Sequence, residues 1–288
     1  MRKKYLFYSL FLIFGFVIVI GAFLNRYIKQ KTGLSLFAKR PFISVLVTSY
    51  NYERYIQKTL DSILAQSYKN YEVIIVDDGS TDNSVSVINE YVAKYKNFYL
   101  YQHDGAVNKG LPASFKLGVE KSKGEYVAVL ESDDYWAPSN LLAKVKMINK
   151  YPDAIIISNN VIPFGDNVTE VSKAKPYVEL LNSQLQEKNI IPASKSLLNH
   201  IPTFSATTIK KDVLSRLDFD TPIPAFLDLY LYTQIFAKYP LYYIAQPITY
   251  WRRHPKSYNA ISNQANNYVK SDEFLRKIND VLAKQKDI

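Results

Sequence analysis

Two stretches of the sequence decide the fold: residues 72–82 read EVIIVDDGSTD, and residues 126–136 read YVAVLESDDYW. Each opens with an uninterrupted apolar run and then turns abruptly acidic. Such a run is typical of a strand that is buried on both faces of a sheet. The acidic residues therefore stand at the ends of two buried strands, which is where a doubly wound α/β protein binds its ligands.

The same alternation of strand and helix continues on both sides of these stretches. The predicted strands of the first half are residues 43–48, 72–76, 98–101, 126–130 and 154–158. Apolar residues at helical spacing predict helices over residues 53–67, 83–94, 114–122 and 140–150. Repeated strand–helix units predict a doubly wound, mostly parallel sheet with helices on both faces.

The second half of the chain has a weaker pattern. Residues 163–200 are polar and irregular, and we interpret them as an insertion. Beyond them the pattern predicts strands at 205–209 and 241–244, a helix over 227–238 and a last amphipathic helix over 268–282.

The N-terminus carries an apolar run of its own, residues 5–24, which has no charged side chain over 20 residues. As a helix it would span about 30 Å, the thickness of a bilayer core. The run exceeds the apolar region of a cleaved signal peptide, the alternative, and large residues fill its end. We therefore expect a single retained transmembrane anchor. Three basic residues precede it and five follow it, which favours a cytoplasmic C-terminal domain.

Charge and composition exclude several classes of protein. The chain has 288 residues, a net charge of +10 and no cysteine, so it has no disulfide, zinc–thiolate site, iron–sulfur cluster or cysteine nucleophile. Residues 1–40 hold eight basic residues and no acid, and the remainder holds 28 basic against 26 acidic residues. Since residues 41–288 carry only +2, nucleic acid is not an expected partner. The predicted order is a basic N-terminus (1–4), the anchor (5–24), a basic linker (25–40) and one main domain (41–288).

The first acidic motif is Asp77-Asp78-Gly79 with the polar residues after it. A carboxylate at a strand end can accept hydrogen bonds from a nucleobase or a ribose hydroxyl. Gly79 lets the chain turn sharply, and Ser80, Thr81 or Asp82 can cap the next helix. A capped turn without a ligand is the alternative, but two adjacent acids exceed what capping requires.

The second acidic motif places three carboxylates, Glu131, Asp133 and Asp134, within four residues. They repel one another unless a positive charge joins them. Oxygen ligands suit Mg²⁺ or Mn²⁺, and such ions usually also bind substrate phosphates. A divalent ion here would offset the charge of a leaving diphosphate. The alternative is a solvated acidic turn that caps the following helix.

In this order, the segments VLVTSYN (45–51), DDGS (77–80) and ESDD (131–134) resemble family-two glycosyltransferases with the GT-A fold. The resemblance is close over residues 41–160 and extends loosely to His254. It implies an inverting transfer of a sugar from a nucleoside-diphosphate-sugar, with a UDP-sugar as the expected donor. The acceptor would be a hydroxyl of a glycan or a lipid-linked acceptor, in the assembly of a surface polysaccharide or glycolipid.

The resemblance also implies a division of the main domain. A nucleotide-sugar-binding half (41–160) would precede an acceptor half (161–260) and a C-terminal helix (261–288). In the first half, Thr48 and Tyr50 would line the nucleobase pocket and Asn108 would approach the donor. Asp77 or Asp78 would contact the base or the ribose, and the resemblance does not say which.

The metal motif of the family is Asp-x-Asp, and here Glu131 replaces its first acid. Asp133 matches the metal-binding acid, and Asp134 matches the acid beside it. The late stretch YWRRH (250–254) resembles the family's Arg-x-His segment, so His254 would be a further metal ligand. Arg252 or Arg253 would hold the diphosphate. A basic surface turn is the alternative for this stretch.

A general base must take the proton from the acceptor hydroxyl, and Asp228 matches its place at the start of a late helix. Leu227 replaces the acid that often precedes it in the family. Alternatively, Asp228 only interacts favourably with the dipole of the helix. His103 and His200 are expected to be structural or to face solvent.

Two other functions use the same acids. A metal-dependent nucleotidyl or phosphoryl transferase would lack an acceptor base, and an inactive membrane-anchored module would bind a nucleotide-sugar without turnover. The sequence contains neither a Gly-x-x-x-x-Gly-Lys-Ser/Thr loop nor a Gly-x-Gly-x-x-Gly fingerprint, which makes the first alternative weaker.

Overall fold

The structure is a computed structural model. It describes residues 17–31, 33–36, 38–165, 168–185, 190–193, 201–221 and 223–254, together with 276, 278–280 and 283. The chain divides into two compact units, Met1–Arg40 and Pro41–Ile288.

The described part of the first unit is dominated by helix α1, which covers residues 17–31. Asn25 Oδ1 accepts hydrogen bonds from Ser35 Oγ at 2.9 Å and from Leu36 N at 2.7 Å, and these fix the turn that follows the helix. Residues 5–16 of the expected anchor lie outside the described residues. Among the helices that are described, none combines the length and the apolar character needed to cross a membrane. The anchor therefore stays a prediction.

The second unit is an α/β domain. Its strands are β1 Ile43–Ser49, β2 Tyr71–Asp77, β3 Phe98–Gln102, β4 Tyr126–Val129, β5 Tyr135–Trp136, β6 Ile156–Phe164, β7 Ile190–Ile191, β8 Thr207–Lys210 and β9 Leu241–Arg252. Its helices are α2 Glu53–Leu64, α3 Ser84–Lys94, α4 Leu111–Lys121, α5 Asn140–Lys150, α6 Val168–Leu185, α7 Lys211–Leu214 and α8 Leu227–Phe236. Short 3₁₀ turns cover Asp104–Ala106, Phe204–Ala206 and Pro224–Phe226.

The strands form one sheet in the order β3-β2-β1-β4-β8-β6-β9-β5, with β7 paired to β9. Strands β1 to β4 are parallel, as predicted. The second half is mixed, because β8 runs antiparallel to both β4 and β6. The expectation of a mostly parallel sheet is therefore wrong for this half. Ser205, just before β8, accepts a hydrogen bond from Glu131 N, just after β4. The chain therefore enters β8 at the edge of the sheet where β4 ends, and β8 runs in the direction opposite to β4.

The apolar runs form the centre of the sheet, as expected. Every side chain of β2 and β4 is buried, and α4 packs against β1 and β2 through Phe115, which is 1% exposed. Burying these runs on both faces removes apolar surface from water, the main favourable term in folding. The polar residues that follow β1, β2 and β4 are thereby fixed at one edge of the sheet.

Three elements of the second half differ from the prediction. Strand β9 continues to Arg252 instead of ending at Ile244, because extra residues of β9 bulge out of register opposite Asn160 of β6, and a bulge is a place where a strand tolerates a proline such as Pro247. Strand β6 continues to Phe164 alongside it. The region predicted as irregular contains the 18-residue helix α6. The predicted C-terminal helix lies mostly outside the described residues.

Candidate functional site

The carboxyl ends of β1, β2 and β4 bring most of the predicted site residues to one edge of the sheet. Thr48 lies near the end of β1, opposite Val76 of β2, and is half-buried. Tyr50 follows β1 and is 45% exposed. Asn108 lies on an exposed loop that crosses the Asp77-Asp78-Gly79 turn. These positions are compatible with a pocket at the ends of β1 and β2.

Asp77 is fully buried and closes its own turn. Its Oδ1 accepts a hydrogen bond from Ser80 N at 2.9 Å, and its Oδ2 accepts one from Ser80 Oγ at 2.5 Å. Gly79 has a φ of +79°, and a Cβ atom there would lie 2.7 Å from Ala106 O and 2.8 Å from Asn108 N. Only glycine allows the loop that carries Asn108 to approach this closely.

Asp78 holds the loop that carries Asn108 through hydrogen bonds to the residues that follow it. Its Oδ1 accepts hydrogen bonds from Lys109 N at 2.8 Å and Ser114 Oγ at 2.9 Å, and its Oδ2 accepts one from Gly110 N at 2.9 Å. His103 Nε2 lies 2.9 Å from Ser114 Oγ and 3.6 Å from Asp78 Oδ1. Both acids of the first motif thus hold the walls of the expected donor pocket. A contact of either one with a nucleotide stays a prediction.

Asn51, which sequence reasoning passed over, ties the β1 loop to this turn. It adopts a φ of +57°, which asparagine tolerates better than most residues. Its Oδ1 accepts a hydrogen bond from Thr81 N at 2.8 Å, and its N–H donates to Ser80 Oγ at 2.9 Å. These two hydrogen bonds hold the loop that carries Tyr50 against the turn that carries Asp77.

In the second motif, Glu131 and Asp134 both meet the hydroxyl of Thr203, which precedes β8. Thr203 Oγ1 lies 2.8 Å from Glu131 Oε2 and 3.2 Å from Asp134 Oδ2. Burial raises the pKa of Glu131 to about 8, with a further contribution from the Asp133 charge. Burial also raises the pKa of Asp134 well above its ordinary value. Sequence reasoning missed Thr203, which lies about 70 residues away from both acids.

Asp133 meets His254 at the end of β9. Their Oδ2 and Nε2 atoms lie 3.0 Å apart, and both side chains are largely buried. The rings of Tyr52 and Tyr55 lie against the imidazole, with centroids 6.0 Å and 5.2 Å away. Arg252 Nε donates a hydrogen bond to the Asp133 carbonyl oxygen at 2.8 Å. The fold thus brings the acidic motif and the late basic segment together.

The other contacts of Arg252 and Arg253 join the end of β9 to the neighbouring segments of the chain. Arg252 N donates a hydrogen bond to Asp134 Oδ1 at 2.7 Å, which fixes β9 to the acidic turn. Arg253 N donates to Phe164 O at 2.7 Å, and the Arg253 guanidinium lies 4.4 Å from the centre of the Trp251 ring. The alternative of a basic surface turn is wrong for Arg252, which is the last residue of β9.

The donor atoms at Asp133 and His254 fit a divalent ion that is shared with a substrate. Within the described ranges, no group of three or more His, Asp or Glu side chains is placed to hold a metal. Mg²⁺ usually takes only one or two protein carboxylates and completes its shell with water and substrate phosphates. Imidazole is the commonest metal ligand. Asp134 fits less well, because both of its oxygens already lie within hydrogen-bonding distance of the chain.

Asp228 lies in the first turn of α8 and is half-buried. Its Oδ1 accepts a hydrogen bond from Leu229 N at 2.7 Å. Burial raises the pKa of Asp228 to about 6, and its charge in turn contributes to the raised pKa of Glu131. Asp228 is therefore close enough to the acidic motif to act on it electrostatically. A carboxylate with a pKa nearer to neutrality is a better proton acceptor.

Comparison with known proteins identifies the family of the chain. The model of the family described as glycosyl transferase family 2 matches residues 44–217. This chain belongs to that family. The matched region contains β1 from Ser44 onward, both acidic motifs and Thr203, and it ends before Asp228 and His254. The roles expected of these last two residues lie outside the matched region and stay predictions.

Similar sequences include uncharacterized glycosyltransferases of Haemophilus influenzae and of a Nostoc species. The first is 41% identical over 101 residues, which cover 35% of this chain and 40% of the relative. The second is 42% identical over 101 residues, covering 34% and 30%. The chain thus matches less than half the length of these relatives.

Two solved structures share the fold. S. aureus TarS in complex with UDP has a TM-score of 0.61 at 19% identity, covering 84% of this chain and 64% of that one. The mannosyltransferase PcManGT from Pyrobaculum calidifontis, in complex with GDP-Man and Mn²⁺, has a TM-score of 0.55 at 18% identity, covering 84% and 67%. At these identities the likeness establishes the GT-A-like fold.

Proposed function

We propose that this chain is an inverting glycosyltransferase that moves a sugar from a nucleoside-diphosphate-sugar, expected to be a UDP-sugar, to an acceptor hydroxyl. The observation that carries the proposal is the meeting of Asp133 with His254 at the edge of the sheet where Asp228 also acts on the acidic motif. Asp133 and His254 would form the site for the anionic leaving group, and Asp228 is the carboxylate suited to take a proton.

The donor is held at the ends of β1 and β2. Thr48 and Tyr50 line the side of the nucleobase, Asn108 approaches from the opposite loop, and Asp77 or Asp78 contacts the base or the ribose. The hydrogen bonds of Asp77 and Asp78 within the chain keep this pocket in shape before the donor arrives. Two neighbours in fold, one with UDP-GlcNAc and one with GDP-Man, support a nucleotide-sugar as the donor.

Asp133 and His254 would hold Mg²⁺ or Mn²⁺, and Arg252 or Arg253 would contact the diphosphate. When bound, the ion supplies positive charge that offsets the charge of the leaving nucleoside diphosphate. Glu131 stays beside this site, where the Thr203 hydroxyl and the Ser205 hydroxyl fix its position.

Asp228 takes the proton of the acceptor hydroxyl. The hydroxyl oxygen then forms a bond to the anomeric carbon from the face opposite to the diphosphate. The bond between this carbon and the diphosphate oxygen breaks, and its electron pair leaves with the nucleoside diphosphate. One displacement of this kind inverts the configuration of the anomeric carbon.

We also propose that the acceptor is a glycan or a lipid-linked acceptor for surface polysaccharide or glycolipid assembly, and that the catalytic domain faces the cytoplasm behind an anchor at residues 5–24. The basic residues on both sides of this apolar run support the orientation. A cytosolic donor would require it.

A donor screen tests the proposed function. The purified chain is incubated with UDP- and GDP-sugars, with and without Mn²⁺ or Mg²⁺, and the released nucleotides are separated. Metal-dependent release of UDP or GDP supports glycosyl transfer. Release of UMP or GMP would instead indicate cleavage between the phosphates, as in a nucleotidyl or phosphoryl transferase. Tight binding without turnover for every acceptor supplied would indicate an inactive binding module.

A further inference from the structure

An aromatic surface that holds two cations lies beside the candidate site. Tyr135 stacks on Tyr250 with ring centroids 4.3 Å apart, and Phe164 contacts Tyr135 edge-on at 4.9 Å. Lys58 Nζ lies 3.9 Å from the centre of the Tyr135 ring. The Arg252 guanidinium lies 4.4 Å from the centre of the Phe164 ring. We call these five residues the cation–aromatic patch.

The two cations of the patch are close to each other. Lys58 Nζ is 5.4 Å from the same Phe164 centroid that lies 4.4 Å from the Arg252 guanidinium, so the charges are within about 10 Å of each other. In the described part of the chain, no carboxylate forms an ion pair with either one. The carboxylate of Asp133 is engaged by His254. A single anion placed between the two cations would be attracted to both.

The aromatic rings place the cations without using up their hydrogen-bond donors. A ring attracts a cation through the negative potential of its face. The N–H bonds of the Lys58 ammonium that point away from the Tyr135 ring therefore remain available to a ligand, as do the terminal nitrogens of Arg252, which binds Asp133 O through Nε. Ammonium and guanidinium groups with donors of this kind are the side chains that recognise phosphate.

The elements that build the patch differ from those that build the expected donor pocket. Lys58 comes from α2, and the other four residues come from β5, β6 and β9. The ends of β1 and β2, where the nucleotide is expected, contribute none. Arg252 connects the two regions, because its Nε contacts Asp133. The patch therefore lies next to the expected metal site and shares only Arg252 with the residues expected to hold the donor.

We propose that the cation–aromatic patch binds a phosphate group of the acceptor, so that this chain acts on acceptors that carry phosphate close to the hydroxyl that is glycosylated. This inference rests on the proposed glycosyl transfer and extends it to the class of acceptor. Lys58 is the residue that tests it, since Arg252 also belongs to the donor site.

The experiment measures the binding of glycerol phosphate by calorimetry to protein saturated with UDP and Mn²⁺, with glycerol as the neutral comparison. Lys58→Gln removes one cation of the patch. Lys94→Gln is the matched control, because Lys94 is also exposed and lies 5.3 Å from the centre of a tyrosine ring, that of Tyr95, on α3. We expect Lys58→Gln to weaken glycerol phosphate binding about tenfold and to leave UDP affinity and thermal stability unchanged.

The proposal would be overturned by equal affinity for glycerol phosphate in Lys58→Gln and the wild type, by equal binding of glycerol, or by no binding of glycerol phosphate at all. A loss of UDP affinity in Lys58→Gln would assign the lysine to the donor and overturn it as well. A wild-type protein that fails to bind UDP in the first titration is a different outcome, since it contradicts the proposed function itself.

Discussion

His254 Nε2 lies 3.0 Å from Asp133 Oδ2, although 121 residues separate the two in the chain. The contact joins the turn after β4 to the end of β9 and creates the pair of donor atoms on which the proposed metal site depends. Asp134, the next residue, instead holds the backbone of Arg252. Neighbouring acids thus have different surroundings, and this difference can be measured.

We expect Asp133→Asn to reduce metal-dependent release of UDP or GDP about a hundredfold or more, the equivalent of about 3 kcal/mol of transition-state stabilisation. His254→Gln should raise the Mn²⁺ concentration for half-maximal activity at least about tenfold. Steady-state kinetics across a Mn²⁺ titration measure both effects.

Asp134→Asn is the matched control, and we expect it to lower the melting temperature with little change in the Mn²⁺ requirement. A larger shift in that requirement for Asp134→Asn than for Asp133→Asn would reverse the assignment.

Asp228→Asn should reduce sugar transfer by about 10²- to 10⁴-fold, because the variant cannot accept the proton of the acceptor hydroxyl. Donor affinity, measured by UDP titration, should stay within a factor of about two, since no charge that faces the diphosphate is lost. An equal loss of donor affinity would show that Asp228 does not act simply as a base.

The raised pKa of Asp228 also predicts two pH dependences. Transfer should fall as the pH drops below about 6, where the carboxylate becomes protonated. Folding stability should change in the opposite direction: because the folded chain holds this proton more tightly than the unfolded chain, stability decreases as pH rises from the ordinary pKa towards 6. Urea unfolding at several pH values should show this decrease in the wild type and a smaller one in Asp228→Asn. Identical profiles for the two proteins would contradict the burial of this carboxylate.

Gly79→Ala should destabilise the chain more than Gly105→Ala. Both glycines have a positive φ, so both variants share a backbone cost of about 1 kcal/mol. A Cβ at Gly79 would meet Ala106 O at 2.7 Å, whereas at Gly105 the nearest atom, Val107 Cγ1, is 3.8 Å away. Overpacking should therefore cost Gly79→Ala about 1–3 kcal/mol more in the free energy of unfolding. Equal costs in chemical denaturation would show that the Asn108 loop does not rest on Gly79.

Lys144 offers a test of the packing that holds the segment after Thr203, because its ammonium lies buried between Ala206 and Ile157. It is 1% exposed, and its Nζ donates hydrogen bonds to Ala206 O at 2.5 Å and to Ile157 O at 3.3 Å. Burial lowers the pKa of Lys144 well below its ordinary value, so the unfolded chain holds the proton more tightly than the folded chain. The free energy of unfolding should therefore rise with pH between the lowered pKa of the folded chain and the ordinary pKa of lysine. We expect Lys144→Met to remove this rise, which can reach about 1.4 kcal/mol per pH unit. A wild-type stability that is flat from neutral to alkaline pH would contradict it.

Short-range pattern was enough to predict the first half of the fold. Strands β1, β2 and β4 are buried on both faces, so their sequences are continuous apolar runs that depend little on their neighbours. The acids that follow these runs were predicted to lie together at one edge, because parallel strands end on the same side of a sheet. The resemblance to family-two glycosyltransferases was confirmed on the same segments.

The second half depends on partners that are distant in sequence. Strand β9 passes through Pro247 because it bulges opposite Asn160 of β6, and β8 is antiparallel because Ser205 is fixed near Glu131. Neither event leaves a local pattern. The same holds for side chains: the sequence places carboxylates at the strand ends, but only the folded chain commits Asp77 to its own turn and pairs Asp133 with His254. Hydrogen bonds act over about 3 Å, so which groups they join depends on the packed structure.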